Sequence, residues 1–292
     1  MGHRLAALVL LAASACAGAS SPAVVEHGAL RAPAAKPAAV VGAKRAGEER
    51  AAATVASGPY VLAEATVMPA LHPLASLRPA QLDKLLRTSP ERLGSASVGA
   101  PNRGSLLNGV ALEPSPFWSV VRPERSWATA ETAASIARAV QVVQRRFSGT
   151  PTLYIGDISR KRGGYLRPHR SHQSGRDADI GYYYRDGAAW YRRATAENLD
   201  CQRTWALVEA LIEGGDVEYI FIDGSVQSLL REHARASGED PAWLNVVFGN
   251  PRTAIVRHAS GHRTHLHVRF HNDVAERTGA MVERSAKRQR RI

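Results

Sequence analysis

Histidine is concentrated in two short groups, and this placement constrains the 292-residue chain more than any other feature of it. Eight of the eleven histidines lie between residues 169 and 271. The two groups are PHRSHQSGRDAD and GHRTHLHVRF, and they contain His169, His172, Asp177, Asp179, His262, His265 and His267. Imidazole and carboxylate groups at such density indicate a metal or catalytic site whose parts are brought together by the fold.

The segment HLHVRF alternates between polar and apolar residues, which is typical of a half-buried strand. Successive side chains of a strand point to opposite faces, so His265, His267 and Arg269 share one face. Leu266, Val268 and Phe270 share the other face, and their apolar character suits burial. The segment therefore predicts a rigid platform that presents two imidazoles.

The residue types favour a catalytic zinc ion. Zinc binds imidazole nitrogen and carboxylate oxygen at about 2.0–2.2 Å, and catalytic sites use three protein ligands plus water. Two histidines and one aspartate would leave the ion strongly Lewis acidic, and a nearby imidazole can take up a proton or stabilise an oxyanion. A structural zinc site more often has four ligands and includes cysteine. Other divalent ions accept the same donors.

The N-terminal residues predict export. A basic start, a short apolar run and a series of small residues make residues 1–16 a signal peptide, too short to remain as a membrane-spanning helix. Cys16 follows Ala-Ser-Ala, which fits either a lipoprotein signal or an ordinary A-x-A cleavage site. We prefer the lipoprotein signal, so we expect a periplasmic protein anchored to the membrane by lipidated Cys16. Cys201 is then the only internal cysteine, and no intrachain disulfide can form.

Composition divides the remaining chain into four parts. Residues 17–58 are rich in Ala and Pro and predict a disordered tether. Residues 59–101 form an N-terminal extension in which LRPAQLDKLLRTSPERL predicts a short helix. Residues 102–275 form the main domain, and the basic residues 276–292 predict a disordered tail.

The main domain mixes helices and strands. Apolar residues recur at helical spacing after a cap at Ser126 or Thr129, and further helices are predicted around Trp205 and in SVQSLLREHARASG. The predicted strands are TLYIGDIS, ADIGYYY, VEYIFID and HLHVRF. Because no regular βαβ repeat connects them, the fold class is α+β.

The formal net charge of +12 raises the question of nucleic acid. Export and the absence of aromatic residues between the basic ones argue against that partner. A basic surface would attract anionic wall polymers or lipid head groups, or it would serve only for solubility. Both explanations stay open.

Four segments together resemble a known family. SHQSGRDADIG and HRTHLHVRF, with GDISRKRGG and PFWSVVRPERSW, are similar to the penicillin-insensitive murein endopeptidases, which belong to the LAS group of zinc peptidases. The likeness covers residues 102–272. It implies a small antiparallel sheet that carries a zinc site and is flanked by helices. The lack of a disulfide departs from the family pattern.

The resemblance also implies roles for individual residues. One zinc ion per chain would have three ligands: His172, Asp179 and His267. His265 would be the general base or would stabilise the transition state, and His262 would assist the tetrahedral intermediate. His169, three residues before the first ligand, would line the site.

The implied substrate is the cross-linked peptide of peptidoglycan, cut at a D-alanyl to diaminopimelyl type of bond. A D,D-carboxypeptidase and a catalytically inactive peptidoglycan-binding module are the alternatives. The loop DGAAWYRRATAEN contains Trp190, Tyr191, Arg192 and Arg193. These residues either hold a carboxylate of the wall peptide or form an exposed basic loop. The sequence gives no basis for an oligomeric state.

Overall fold

The computed structural model describes Leu74 and residues 77–289. The predicted signal peptide with Cys16, the predicted tether and residues 59–73 of the extension lie outside the described residues. The helices are α1 (Pro79–Thr88), α2 (Ala130–Arg146), α3 (Cys201–Glu213), α4 (Gly224–Ala236), α5 (Pro241–Phe248) and α6 (Asp273–Gln289).

The strands are short, and half of them form one sheet. They are β1 (Ala96–Ala100), β2 (Arg103–Leu107), β3 (Val110–Ala111), β4 (Trp118–Val120), β5 (Trp127–Ala128), β6 (Leu153–Ile155), β7 (Asp177–Gly181), β8 (Tyr183–Tyr184), β9 (Gly187–Ala188), β10 (Val217–Ile222), β11 (Val256–His258) and β12 (His265–Phe270). The main sheet has the order β11-β10-β12-β7-β6-β4, and three two-stranded pairs accompany it.

The fold mixes helices and sheet as the α+β class requires, but the main sheet is larger than expected and not purely antiparallel. Its centre, β10-β12-β7-β6, is antiparallel, whereas β11 lies parallel to β10 and β4 lies parallel to β6. The chain makes a helical crossover through α2 between β4 and β6. It makes another through α4 and α5 between β10 and β11. A crossover of this length returns the chain in the same direction and so creates a parallel pair.

Helix α2 shows how the sequence builds the core. The Thr129 side chain accepts a hydrogen bond from the Thr132 N–H and caps the helix. Thr129 is one of the two residues that the sequence predicts for this cap. Ile136, Val140 and Val143 lie at helical spacing and are fully buried. They join one hydrophobic cluster with α3 and with the apolar face of β7 and β12. The opposite face of these two strands is therefore left for polar side chains.

The extension and the C-terminal segment belong to the folded part. The expected domain start at residue 102 falls inside the β1–β2 hairpin, in which Ala100 pairs with Arg103. The expected disordered tail is wrong as far as residue 289, because residues 276–289 continue α6. Charged residues face solvent there, while small residues form the buried face of the helix: Ala275, Thr278, Gly279 and Ser285.

Helix α6 is also fixed at its beginning. Both carboxylate oxygens of Glu131 accept hydrogen bonds from the backbone N–H groups of Val274 and Ala275, at 3.0 and 2.8 Å. These donors have no partner within their own helix. Arg176 donates to the Phe270 carbonyl and to Glu276 at the same corner. The end of β12 and the start of α2 are thereby both tied to the first turn of α6.

We expect Gly279→Ala to destabilise the protein by about 1–3 kcal/mol, as overpacking does. A methyl group at this position would overlap the backbone carbonyl oxygen of Ser97 in β1. Helix propensity alone predicts the opposite sign, because Ala is favoured over Gly by about 1 kcal/mol. Urea denaturation measures the difference. Gly224→Ala is the matched control, since the nearest atom there lies at 3.5 Å. An unchanged or raised midpoint for Gly279→Ala would contradict the close packing of α6 on β1.

Candidate metal centre

The antiparallel register of β7 and β12 places polar residues directly opposite one another. His267 pairs with Asp179, Arg269 with Asp177, and His265 with Gly181. Opposite residues in such a ladder have Cβ atoms about 4.5–5.5 Å apart, so their side chains meet. The predicted platform is thus matched by acidic residues on the neighbouring strand.

His172 comes from the loop that precedes β7, and two hydrogen bonds fix its ring and backbone. Its φ is 63°, in the left-handed region that is unusual for a residue other than glycine. Its backbone N–H donates to Asp177 Oδ2 at 3.0 Å, and its Nδ1 donates to the Ile158 carbonyl at 3.0 Å. With Nδ1 engaged in this way, Nε2 faces the strand residues.

Three donor atoms converge at this point. His172 Nε2 lies 3.1 Å from His267 Nδ1 and 3.3 Å from Asp179 Oδ1. His267 Nδ1 lies 3.1 Å from the same Asp179 oxygen. All three side chains are almost fully buried. Two nitrogens and one oxygen are the donor set that a divalent transition metal accepts.

His169 joins the cluster from its more exposed side. One atom each of His169, His172 and Asp179 lie within 4.8 Å of one another. His169 Nδ1 is 3.8 Å from Asp179 Oδ2, while its Nε2 is 2.8 Å from Asp157 Oδ2. The structure therefore offers two overlapping sets of three ligands, which share His172 and Asp179.

Asp177 is fully buried behind the cluster and holds several of its members. Its Oδ1 lies 3.3 Å from His267 Nε2 and 2.7 Å from Arg269 Nε. The other oxygen receives the His172 backbone N–H and Arg269 Nη2. A carboxylate on the outer nitrogen of a histidine is the usual way to orient a metal ligand.

The electrostatics of the cluster call for a cation. Burial alone would raise the pKa of Asp179, but the His172 and His267 imidazoles hold this pKa well below its ordinary value. Burial alone would likewise lower the pKa of His267, but hydrogen bonds and charge from Asp177 and Asp179 raise it to about 9. A proton on His267 thus supplies positive charge where a metal would, and the residues fit a divalent ion.

His265 and His262 flank the cluster and, unlike His267, have lowered pKa values. Burial lowers the pKa of His265 to about 4, and the pKa of His262 is also lowered, chiefly by burial. His265 Nδ1 is 2.9 Å from Thr264 Oγ1, and its Nε2 is 3.7 Å from Asp179 Oδ1. His262 Nδ1 donates to the Ser260 carbonyl at 3.1 Å. Both imidazoles are therefore neutral near pH 7.

Aromatic side chains form two walls of the site. The Tyr191 ring stacks on His265, with centroids 5.6 Å apart and an interplanar angle of 18°, and it is 63% exposed. The Trp190 ring lies against Gly156, where a methyl group would overlap it. On the opposite side, Phe221 lies 5.8 Å from the His267 ring.

The arginine of the aromatic loop has a different position. Arg192 pairs with Asp186 at 2.7 Å, stacks over Tyr184 at 5.1 Å, and its carbonyl accepts the Tyr184 hydroxyl. Its guanidinium is therefore engaged within the loop, whereas Trp190 and Tyr191 reach the histidines. Tyr191 has a φ of 64°, so two of the three non-glycine residues with a left-handed backbone in the described part of the chain, His172 and Tyr191, lie at the site.

Sequence reasoning gave no role to Asp157, Arg122 and Arg125, which lie beside His169. Asp157 is fully buried, and its pKa is lowered to about 2 because His169 and Arg122 outweigh the effect of burial. An aspartate two residues after a buried strand, in GDIS, is the signal that would have found it. The two arginines carry no such signal, because only the folded chain brings them to Asp157.

The fold and the site thus define a class of protein, namely an α+β domain with a buried His/Asp cluster on one face of its sheet. The family model for penicillin-insensitive murein endopeptidases matches residues 97–285, and the chain belongs to this family. A penicillin-insensitive murein endopeptidase of Haemophilus influenzae is 26% identical over 224 residues, which cover 66% of this chain and 69% of the relative.

In the metal-free protein, we expect His267 to titrate near pH 9 and His265 near pH 4, as measured by NMR of the imidazole rings. Since the raised pKa of His267 lies above its ordinary value of 6.5, the stabilisation is complete below that pH. It is lost as the pH rises through 9. Asp177→Asn should lower the pKa of His267. A His267 that titrates near 6.5 in the metal-free protein would refute this charge balance.

Proposed function

We propose that this protein is a zinc-dependent endopeptidase that hydrolyses the peptide cross-links of peptidoglycan, at a D-alanyl to diaminopimelyl type of bond. The observation that carries the proposal is the convergence of His172 Nε2, Asp179 Oδ1 and His267 Nδ1 within 3.3 Å of one another. Membership in the murein endopeptidase family supports the substrate class.

One zinc ion per chain would be held by His172, Asp179 and His267. His267 is favoured over His169 as the third ligand because buried Asp177 engages its outer nitrogen. His169 is less suited, since its Nδ1 lies farther from Asp179, at 3.8 Å, and its side chain is 21% exposed. We assign His169 to the lining of the site.

A zinc ion at this position would supply the Lewis acidity that polarises an amide carbonyl and makes water a better nucleophile. His265 is the general base of the proposal. Its imidazole is neutral and buried, and its Nε2 faces the Asp179 carboxylate. It can take up a proton at Nε2 and return it to the leaving amine.

His262 completes the catalytic pair and assists the tetrahedral intermediate. Its ring centroid lies 5.0 Å from that of His265 and 5.9 Å from that of His267. The Tyr182 hydroxyl donates to the His262 carbonyl at 2.8 Å and fixes the backbone of this residue. Both imidazoles thus border the same reacting position.

Trp190 and Tyr191 are the proposed contacts to the wall peptide. An exposed aromatic ring stacked on the general base can pack against substrate while it shields the base from water. A left-handed backbone at Tyr191 costs of order 1–3 kcal/mol, and such strain clusters at functional sites. Arg192 remains in the proposal through its bond to Asp186, which shapes the loop.

The proposed location is the periplasm, with residues 1–16 as the signal and Cys16 as the site of lipidation. Murein lies outside the cytoplasm, so the family supports export. Within the part of the chain that the structure describes, no helix has the length and apolar character needed to cross a membrane. Cross-linked wall peptides are the proposed partner, and nucleic acid has no place in this function.

We expect the zinc content to separate the two candidate ligand sets. His172→Ala and His267→Ala should each purify with less than one tenth of the zinc of the wild-type chain, because two remaining ligands hold zinc weakly. His169→Ala should retain about one zinc per chain. Elemental analysis after gel filtration measures this. Loss of zinc from His169→Ala with retention in His267→Ala would favour the other set.

We expect His265→Ala to keep its zinc and to lose activity by about 100-fold or more, because removal of a general base costs this much. The measurement is the conversion of purified cross-linked muropeptide dimers to monomers, followed by chromatography. His233→Ala, on the outer helix α4, is the matched control and should retain full activity. Normal hydrolysis by the zinc-loaded His265→Ala variant would refute the assignment.

The products of the wild-type reaction decide between the alternatives. Monomers from dimers indicate an endopeptidase, whereas free D-alanine without monomers indicates a carboxypeptidase. Zinc binding and wall binding without any product indicate an inactive binding module.

A further inference from the structure

Two arginines beside the metal centre share a single carboxylate. Arg122 Nε donates to Asp157 Oδ1 at 2.8 Å, and Arg125 Nη1 lies 3.3 Å from Asp157 Oδ2. The same Oδ2 atom lies 2.8 Å from His169 Nε2. Asp157 is fully buried, so it anchors both guanidinium groups at the edge of the site.

Each of these guanidinium groups keeps N–H donors that Asp157 does not engage. Their side chains are 41% and 31% exposed, although the carboxylate that holds them is buried. Arg122 uses only Nε, and within residues 77–289 its two Nη atoms have no hydrogen-bond partner. The pKa of Arg122 is raised, chiefly by the hydrogen bond to Asp157 and also by the charge of Asp179. The free end of Arg122 is thus within electrostatic range of the candidate zinc ligand.

The neighbouring loop adds positive charge on the same side. Residues 160–170, RKRGGYLRPHR, contain five Lys and Arg and no acidic residue, and all five side chains are exposed. Arg125 Nη1 donates to the Arg167 carbonyl at 3.5 Å, which joins this loop to the arginine pair. The rim beside His169 therefore carries an excess of cations that the described residues do not neutralise.

A planar guanidinium with a free Nη edge matches a carboxylate, because two parallel hydrogen bonds can form. We propose that Arg122, held in place by Asp157, binds a free carboxylate of the substrate next to the bond that is cut. This inference rests on the proposed function and narrows its substrate class to wall peptides with a free carboxylate. Arg125 and the basic loop strengthen the attraction.

The free carboxylates of a cross-linked wall peptide share this chemistry, and two of them are distinguished by the test. One belongs to the diaminopimelyl residue and the other to the C-terminal D-alanine. Three synthetic dimers separate them: one with both groups free, one amidated at diaminopimelate and one amidated at the C-terminus. The full zinc-loaded chain is assayed for kcat/KM on each, as wild type, Arg122→Gln and Arg122→Lys. Arg235→Gln, at the exposed end of α4, is the matched control.

We expect amidation of the recognised carboxylate to lower kcat/KM of the wild type about tenfold, and Arg122→Gln to lower it equally on the free dimer. The variant should no longer distinguish the dimers, while zinc content stays unchanged and Arg122→Lys recovers part of the loss. Equal losses for Arg122→Gln on all three dimers would show a structural role and overturn the proposal. Equal wild-type rates on all dimers would do the same.

A parallel binding measurement keeps this test separate from the proposed function. Calorimetry with monomeric wall peptides, free or amidated, requires no hydrolysis. Weaker binding of the amidated peptide to wild type, and no difference for Arg122→Gln, supports the carboxylate site even if no dimer is cut. Equal binding of both peptides to the wild type overturns it.

Discussion

The pairing of β7 with β12 is the constraint on which the rest of the site depends. A shift of one residue in this ladder would turn every side chain of the moving strand to the other face. His267 would then leave Asp179 and enter the apolar cluster with α2 and α3. The apolar residues of β12 fix the register by their burial, so the core determines the site geometry. Precision at the candidate metal centre is therefore a product of hydrophobic packing behind it.

The second constraint is charge. Asp157, Asp177 and Asp179 are all buried within one small region, and isolated buried carboxylates are costly. Each is matched in a different way. Asp157 has two arginines and His169, Asp177 has Arg269, and Asp179 has only imidazoles. Asp179 is thus the one of these three carboxylates that has no arginine partner. It lies where it converges with His172 and His267, and a metal ion there would balance its charge.

The sequence was sufficient for the parts of the fold that obey local rules. The alternation in HLHVRF predicted the face shared by His265 and His267, and Thr129 was one of two predicted caps of α2. The prediction of a disordered tail is wrong because charge alone does not exclude a helix, and small residues such as Gly279 let α6 pack on β1. The contacts of Asp157 with Arg122 join residues 35 positions apart, and no local pattern encodes such a pair.

The left-handed backbone of His172 has a consequence for how this family can diversify. Glycine adopts such a φ without strain, so a glycine here would relax the backbone, but it would also add freedom to the unfolded chain and remove a buried imidazole from the cluster. The contacts of the imidazole, such as its hydrogen bond to the Ile158 carbonyl, therefore hold the chain in a conformation that its own backbone disfavours. In related chains, a glycine at this position would keep the left-handed turn and mark a chain that lacks the proposed ligand set.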